Sequence, residues 1–269
     1  MPKRIRPRLG QHFLAAPRYQ RRIAQSLALG PDELVIEIGA GRGAMTGLLA
    51  ERARRVVAIE LDARWAEELR DRFAGEPRIE VIRADILATD LARLCRERGA
   101  ERCFVFGNLP YYITSPILTH LFDFRASIRA MSLLVQREVA ARLTAEPGSR
   151  DYGFLSVATQ LQSAPRLVFS VPPGAFAPPP KVWSALVEFE MKPKFSEWSA
   201  ERTARFLEFT RRCFARKRQT LVNNLGAAHG RAAVEKILGG GGLSAKTRAE
   251  ELSVEQLAGL FESLEPLSS

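Results

Sequence analysis

The apolar run Leu34–Ile38 ends abruptly in Gly39-Ala40-Gly41-Arg42-Gly43. No other feature narrows the fold as far. A short run rich in β-branched residues reads as a buried strand. The glycines then force a tight turn, and Met45, Leu48, Leu49 and Ala53 follow at helical spacing. A strand, a glycine turn and a helix in that order make the first half of a parallel crossover unit. The pattern recurs. Arg55–Ile59 reads as a second strand and ends at Glu60, with Ala63–Phe73 helical after it. Ile79–Ile82 reads as a third strand ending near Asp85, and residues 90–98 as a helix. Cys103–Phe106 leads a fourth strand to Asn108, Pro116–Phe122 is helical, and Ile128–Val135 is a further strand. Alternation of this kind predicts a parallel, doubly wound sheet with helices on both faces.

Beyond residue 150 the alternation stops. Phe154–Gln162 has a helical pattern, and Leu167–Val171 and Ala185–Phe189 read as strands. The intervening segment from Val171 to Val182 carries five prolines and reads as a stiff loop. Lys192–Ser199 reads as a linker, after which only helices are expected. Ser199 is placed to cap a long basic helix. Thr247 with Glu250, and Ser253 with Gln256, have the spacing of capping boxes. Three segments are therefore expected: a basic arm over 1–9, an α/β domain over 10–194 and a helical domain over 195–269.

Charge is concentrated. The net charge is +10, of which +4 lies in Lys3, Arg4, Arg6 and Arg8 and +5 between Ser199 and Arg218. Such clustering points to a polyanionic partner, and a nucleic acid fits it. Cys95, Cys103 and Cys213 are odd in number and have no metal-ligand spacing, so a reducing cytoplasm is the expected setting. His12, His120 and His229 also lack ligand spacing, and no metal is expected. No apolar h-region follows the basic arm, and no run reaches membrane-spanning length. Gly239–Thr247 is glycine-rich, but Ala245 stands where a phosphate loop needs glycine.

The ends of the first three strands suggest a cofactor site. Gly39 and Gly41 allow close approach of a ligand to the backbone. Glu60 is placed to accept both hydroxyls of a ribose, and Asp85 to accept from an adenine amine. Glycines spaced G-x-G-x-G differ from the G-x-G-x-x-G of dinucleotide sites. S-adenosylmethionine, which has no phosphate, suits them better, with Glu37 near its amino-acid tail. At the fourth strand end, Asn108-Leu109-Pro110-Tyr111 joins an amide, a rigid proline and an aromatic. The amide and a neighbouring carbonyl could accept from an exocyclic amine while Tyr111 stacks on its base.

Asn108-Leu109-Pro110-Tyr111 resembles motif IV of adenine-N6 methyltransferases, and Glu37-Ile38-Gly39-Ala40-Gly41 resembles their motif I. Phe176-x-Pro178-x-Pro180-Lys181-Val182-x-Ser184 resembles a signature of the ribosomal RNA adenine dimethyltransferases. Gly10-Gln11-His12-Phe13-Leu14 resembles that family's N-terminal cofactor segment, although His12 stands where the family usually has Asn. Arg216-Lys217-Arg218-Gln219-Thr220 and Arg248-Ala249-Glu250-Glu251-Leu252 resemble its helical tail. The matches run in the family's order from about residue 8 to 260 and are most like the bacterial small-subunit type.

The resemblance implies a Rossmann-like S-adenosylmethionine-dependent methyltransferase sheet with a small C-terminal α-helical domain. It implies N6,N6-dimethylation of two adjacent adenines in a hairpin loop near the 3′ end of small-subunit rRNA. The expected substrate is a 30S or pre-30S particle and the expected enzyme a monomer. Asn108, Leu109, Pro110 and Tyr111 would position the acceptor, with Phe176 on the other face of its base. His12, Leu14, Glu37, Gly39, Gly41, Glu60, Asp85 and Asn108 would hold the cofactor. Arg4, Arg6, Arg8, Lys181, Arg211, Arg212, Arg216, Lys217 and Arg218 would meet RNA. An Erm-type large-subunit rRNA methyltransferase and a non-catalytic RNA-binding assembly factor are the alternatives.

Overall fold

A computed structural model describes residues 12–265. The expected basic arm, with Arg4, Arg6 and Arg8, lies outside the described residues. The described residues form two compact units, one of residues 12–140 and 166–191, the other of 141–165 and 192–265.

Among the described residues of the first unit nine strands form in chain order: β1 (Phe13–Leu14), β2 (Leu34–Ile38), β3 (Arg55–Glu60), β4 (Ile79–Arg83), β5 (Cys103–Asn108), β6 (Ile128–Gln136), β7 (Ala164–Val171), β8 (Phe176–Ala177) and β9 (Ser184–Glu190). Seven of them make one sheet, in the order β4-β3-β2-β5-β6-β9-β7. The strands from β4 to β6 run parallel, as the alternation predicts, and β9 joins antiparallel to β6. The sheet is therefore mixed, because an antiparallel neighbour needs no crossover helix to bring it back. β1 and β8 pair with each other as a separate two-stranded ribbon, Phe13 opposite Ala177 and Leu14 opposite Phe176.

Helices α1 (Pro17–Ser26), α2 (Thr46–Ala50), α3 (Ala63–Arg72), α4 (Leu91–Glu97), α5 (Thr114–Asp123) and α6 (Arg137–Leu143) follow the strands. Local chemistry starts several of them. Pro17 occupies the first turn of α1, where its missing N–H costs nothing. Asp62 and Asp90 cap α3 and α4 by accepting from Arg64 N and Arg93 N. Leu34 to Ile38 are all buried, as expected of a strand covered on both faces. The core of this unit joins Val35, Val56, Phe104 and Leu134 from the sheet to Ile23, Leu27 and Leu49 from the helices.

The second unit holds α7 (Phe154–Gln162), α8 (Ala200–Cys213), α9 (Leu221–His229), α10 (Arg231–Gly240) and α11 (Val254–Leu264). Its core includes Val157, Leu161, Trp198, Phe206, Phe209, Leu225 and Phe261. The single boundary expected near residue 194 is thus corrected: residues 141–165 belong with the helices. Periodicity shows that α7 has an apolar face but not which core receives it. The expected linker is also ordered packing. Phe195 stacks on Trp198 with ring centroids 4.4 Å apart, and Trp198 is buried against Phe206. Ser253 and Gln256 form the expected capping box. The other box shifts by one residue: Arg248 N donates to Glu251, while Thr247 Oγ1 accepts from Ser244 N. Truncation of Trp198 leaves a large void in a small core. Trp198→Ala is expected to lower the unfolding free energy by about 3–5 kcal/mol, read as a fall in urea midpoint at unchanged m-value.

Candidate active site

Parallel register brings four strand ends to one edge of the sheet. Ile38 sits opposite both Ile59 and Gly107, and Glu60 opposite Arg83. The residues that follow therefore surround one cavity of about 280 Å³, in the crevice where open α/β sheets bind ligands. Its walls include His12, Gly39, Gly41, Glu60, Asp85, Asn108, Leu109, Pro110 and Tyr111. They also include Phe13, Leu61, Ile86, Tyr112, Ile113 and Ile117, which sequence reasoning missed. Leu61 and Ile86 each directly follow one of the acids, Glu60 and Asp85, so an apolar residue beside a strand-end acid was the available signal.

The glycine loop is built by backbone requirements. Gly39 and Gly41 have φ of +68° and +54°, a region open to glycine. A Cβ on Gly41 would lie 2.7 Å from the Phe13 ring, so Phe13 closes over this loop only because residue 41 is glycine. Gly41 N donates to Glu60 Oε2 at 2.8 Å, and Asp62 N donates to Glu60 Oε1 at 2.9 Å. Glu60 is 3 % exposed, yet a carboxylate offers about four acceptor sites, and two backbone donors leave room for a ligand's hydroxyls. Asp85 caps the turn Ile86–Ala88 through Leu87 N and remains exposed at the cavity wall. Two carboxylates facing apolar Leu61, Ile86 and Ile117 suit the hydroxyls, amine and flat ring of an adenosine. The residues present fit S-adenosylmethionine.

Three expected site residues lie elsewhere. Glu37 is buried and does not line the cavity; its Oε2 accepts from Thr46 Oγ1 at 2.6 Å. Burial pushes its carboxyl up from 4.5 to about 7, the Thr46 bond opposing and nearby Glu60 adding to the rise. Glu37 thus ties β2 to the start of α2 beneath the glycine loop, rather than meeting a ligand's tail. Leu14 is buried in the core. Phe176, at 4 % exposed, is packed in that same core and leaves no free face for a base. Its strand partner is Leu14, so both residues anchor the β1–β8 ribbon.

The fourth loop is held at every residue. Leu109 N donates to Leu134 O at 3.1 Å, and the Leu109 side chain is buried over Gly107. A Cβ at residue 107 would lie 2.8 Å from Leu109 Cδ2, so glycine there makes the room. Pro110 O accepts from Ile113 N at 3.2 Å and from Thr114 Oγ1 at 3.3 Å. Asn108 Nδ2 donates to His12 O at 2.9 Å. A carbonyl can only accept, so the amide nitrogen faces His12 and Oδ1 faces away from it. The Tyr111 hydroxyl and Ser184 Oγ are 2.8 Å apart, and partial burial raises the Tyr111 pKa above its ordinary value, so the phenol stays neutral.

In the helical unit the expected basic surface divides. Arg211 pairs with Glu208 at 2.9 Å and its guanidinium lies over Phe154. Arg212 pairs with Glu265 at 3.1 Å, and Arg202 pairs with Glu262. The charge of α8 is thus largely answered by Glu208 within it and by Glu262 and Glu265 at the end of α11. Arg216, Lys217 and Arg218 are exposed, Lys217 donating to the Arg150 carbonyl. Among the described residues, Arg216 and Arg218 make no ion pair. Lys181, on the proline loop of the other unit, is exposed too. Among the described residues no helix is long and apolar enough to cross a membrane, and no acid, His and Cys cluster could hold a metal.

Fold and cavity together define a class, the S-adenosylmethionine-dependent methyltransferases of Rossmann-like architecture. The model of the ribosomal RNA adenine dimethylase family matches residues 2–265, and the chain belongs to that family. It is 47 % identical over 264 residues to ribosomal RNA small subunit methyltransferase A of Acidobacterium capsulatum, covering 98 % of this chain and 92 % of the relative. The protein of the same name from Koribacter versatilis is 39 % identical, covering 96 % and 93 %. Among solved structures, the 23S rRNA methyltransferase ErmE superposes with a TM-score of 0.72 at 30 % identity, covering 94 % of this chain and 99 % of that one. A dimethyladenosine transferase from Plasmodium falciparum shares the fold with a TM-score of 0.77 at 24 % identity, covering 93 % and 96 %.

Glu37 makes the stability of this site pH-dependent in a definite direction. Its folded value of about 7 lies above the ordinary 4.5, so the folded chain holds a proton that the unfolded chain releases. Wild-type stability is therefore eroded as pH rises from about 4.5 to 7, and the penalty is full above that window. Glu37→Gln keeps an acceptor for Thr46 without the charge. It should match the wild type near pH 4.5 and exceed it by up to about 3 kcal/mol at pH 8, in paired denaturation curves.

Proposed function

We propose that this chain transfers methyl groups from S-adenosylmethionine to N6 of two adjacent adenines in the hairpin loop near the 3′ end of small-subunit rRNA. It acts as a monomer on a 30S or pre-30S particle in the cytoplasm, at a step of small-subunit biogenesis. The observation that carries this reading is the Asn108 amide at the cavity wall, its nitrogen committed to His12 O and its oxygen left for a donor.

An adenine amine is a weak nucleophile because its lone pair is delocalised into the ring. It presents two N–H donors. Asn108 Oδ1 accepts one. Pro110 O is already engaged by Ile113 N and Thr114 Oγ1, which leaves the Leu109 carbonyl for the other. Two acceptors held by the fold draw the nitrogen towards tetrahedral geometry and orient its lone pair. Tyr111 stacks on the extruded base, with its hydroxyl anchored on Ser184. Bound S-adenosylmethionine supplies an electrophilic methyl on a sulfonium. No strong general base is needed, because the alkylated amine is acidic while cationic and gives its proton to water. In the helical unit, Arg216, Lys217 and Arg218 meet phosphates, which set affinity and register without reading sequence.

The likeness to ErmE supports a second reading, methylation of large-subunit rRNA. Mapping methylated adenines on 30S and 50S material from an unmodified strain separates the two. Two adjacent dimethyladenines on the small subunit are expected, and modification confined to protein-free large-subunit RNA would sink the first reading. Asn108→Ala should cut turnover about a hundredfold or more while S-adenosylmethionine affinity, by calorimetry, stays within about tenfold. Replacing Arg216, Lys217 and Arg218 together by Ala should weaken RNA binding. The plot of log affinity against log salt should flatten by about one unit for each phosphate no longer neutralised.

A further inference from the structure

His12 lies where three segments of the first unit converge. Its backbone carbonyl takes the Asn108 amide nitrogen at 2.9 Å. Its ring nitrogen Nδ1 is 2.8 Å from Pro178 O on the proline loop. A carbonyl has no proton to give, so Nδ1 is the donor. The ring also stacks on Tyr111, with centroids 5.6 Å apart and planes 30° apart. Tyr111 is tied in turn to Ser184, the first residue of β9, just beyond the same proline loop. Pro178 and Ser184 thus hold the two sides of one small circuit: His12 to Pro178, along the chain to Ser184, across to Tyr111 and back to the His12 ring. Directly after His12, β1 pairs with β8, so both backbone and side chain of this segment are fastened to the loop.

We propose that His12 is a positioning residue for the acceptor adenine, its ring clamping the proline loop so that its own carbonyl holds the Asn108 amide, and Tyr111 beside it, in the orientation that receives the base. This rests on the reading of Asn108 as the acceptor amide and extends it. An Asn side chain alone can rotate about χ2, presenting nitrogen or oxygen to the cavity. Nitrogen towards the substrate would oppose a donor to a donor. The His12 carbonyl removes that option, and the ring's bond to Pro178 keeps the carbonyl in place.

The second methyl transfer depends on this orientation more than the first. Unmodified adenine offers two N–H bonds, one to Asn108 Oδ1 and one to a backbone carbonyl. The monomethylated amine has a single N–H. With one hydrogen bond left to orient the nitrogen, a loosened Asn108 amide costs more in the second transfer. Loss of the clamp should therefore show in the product distribution, which a general loss of stability would not alter.

The test compares the wild type with His12→Ala, His12→Phe and His12→Asn. Phe keeps a ring over Tyr111 but no donor for Pro178 O. Asn places its Nδ2 near the position of the imidazole Nδ1 and keeps the donor. Each is assayed on unmodified 30S particles for kcat, KM, S-adenosylmethionine affinity and the ratio of monomethyl to dimethyl adenine, with melting temperature recorded alongside. His12→Ala and His12→Phe are expected to lower kcat about tenfold and accumulate monomethyladenine, with cofactor affinity within about threefold of wild type. His12→Asn should restore both kcat and the dimethyl product. An unchanged product ratio in His12→Ala, or equal loss in His12→Asn and His12→Phe, would overturn the proposal. A fall in cofactor affinity matching the fall in turnover would also overturn it, by making His12 a cofactor contact alone. If the wild type itself leaves 30S adenines unmethylated, the underlying function is at fault instead.

Discussion

The parallel register of β2, β3, β4 and β5 is the constraint on which the rest of the site depends. Because Ile38 is level with Ile59 and Gly107, the residues at and just beyond the ends of those strands reach the cavity at one height. Gly39, Glu60, Asp85 and Asn108 are far apart in sequence and meet for that reason alone. A one-residue slip of β5 would reverse the faces of its side chains and carry Asn108 away from Glu60. Close packing on both faces of β2, β3 and β5 resists such a slip, since it would drive side chains of one size into space already filled to fit another.

On this frame the short segment His12–Leu14 links the two sides of the cavity. Phe13 lies over Gly41 and beside Trp65, with the Arg42 guanidinium near both rings. His12 reaches the opposite loop through Asn108 and Pro178. Leu14 and Phe176 fasten the ribbon into the core. A segment with only two residues of strand therefore spans the glycine loop and the acceptor loop. Its stiffness comes from what it is packed against, because a two-residue ribbon has little stability of its own.

Much of the first unit was legible in the sequence. The strand and helix alternation, the glycine turn and the acids at strand ends all rest on local chemistry, and local patterns survive folding. Phe176, Leu14 and Glu37 were misplaced for a common reason. Leu14 and Glu37 adjoin the wall residues Phe13 and Ile38, and Phe176 is paired with Leu14, but whether such a side chain turns outward or inward depends on partners distant in the chain. Glu37 is instructive: alternation along β2 points it away from the cavity, and only Thr46, nine residues on, satisfies its carboxyl. The basic α8 misled in a similar way, since Glu262 and Glu265 that answer its arginines lie more than fifty residues later.

The sequence by itself determined the class of fold, the order of the strand-end loops and the residue types each loop offers, because spacing and backbone chemistry are written residue by residue. Tertiary structure decided the rest: that β9 returns antiparallel, that residues 141–165 pack with the helices, that Leu109 folds over Gly107, and that the Asn108 amide is oriented by a carbonyl 96 residues away. Each of these is a choice among partners equally available to the isolated chain. Packing and hydrogen-bond complementarity select one, and neither exists until the distant segments meet.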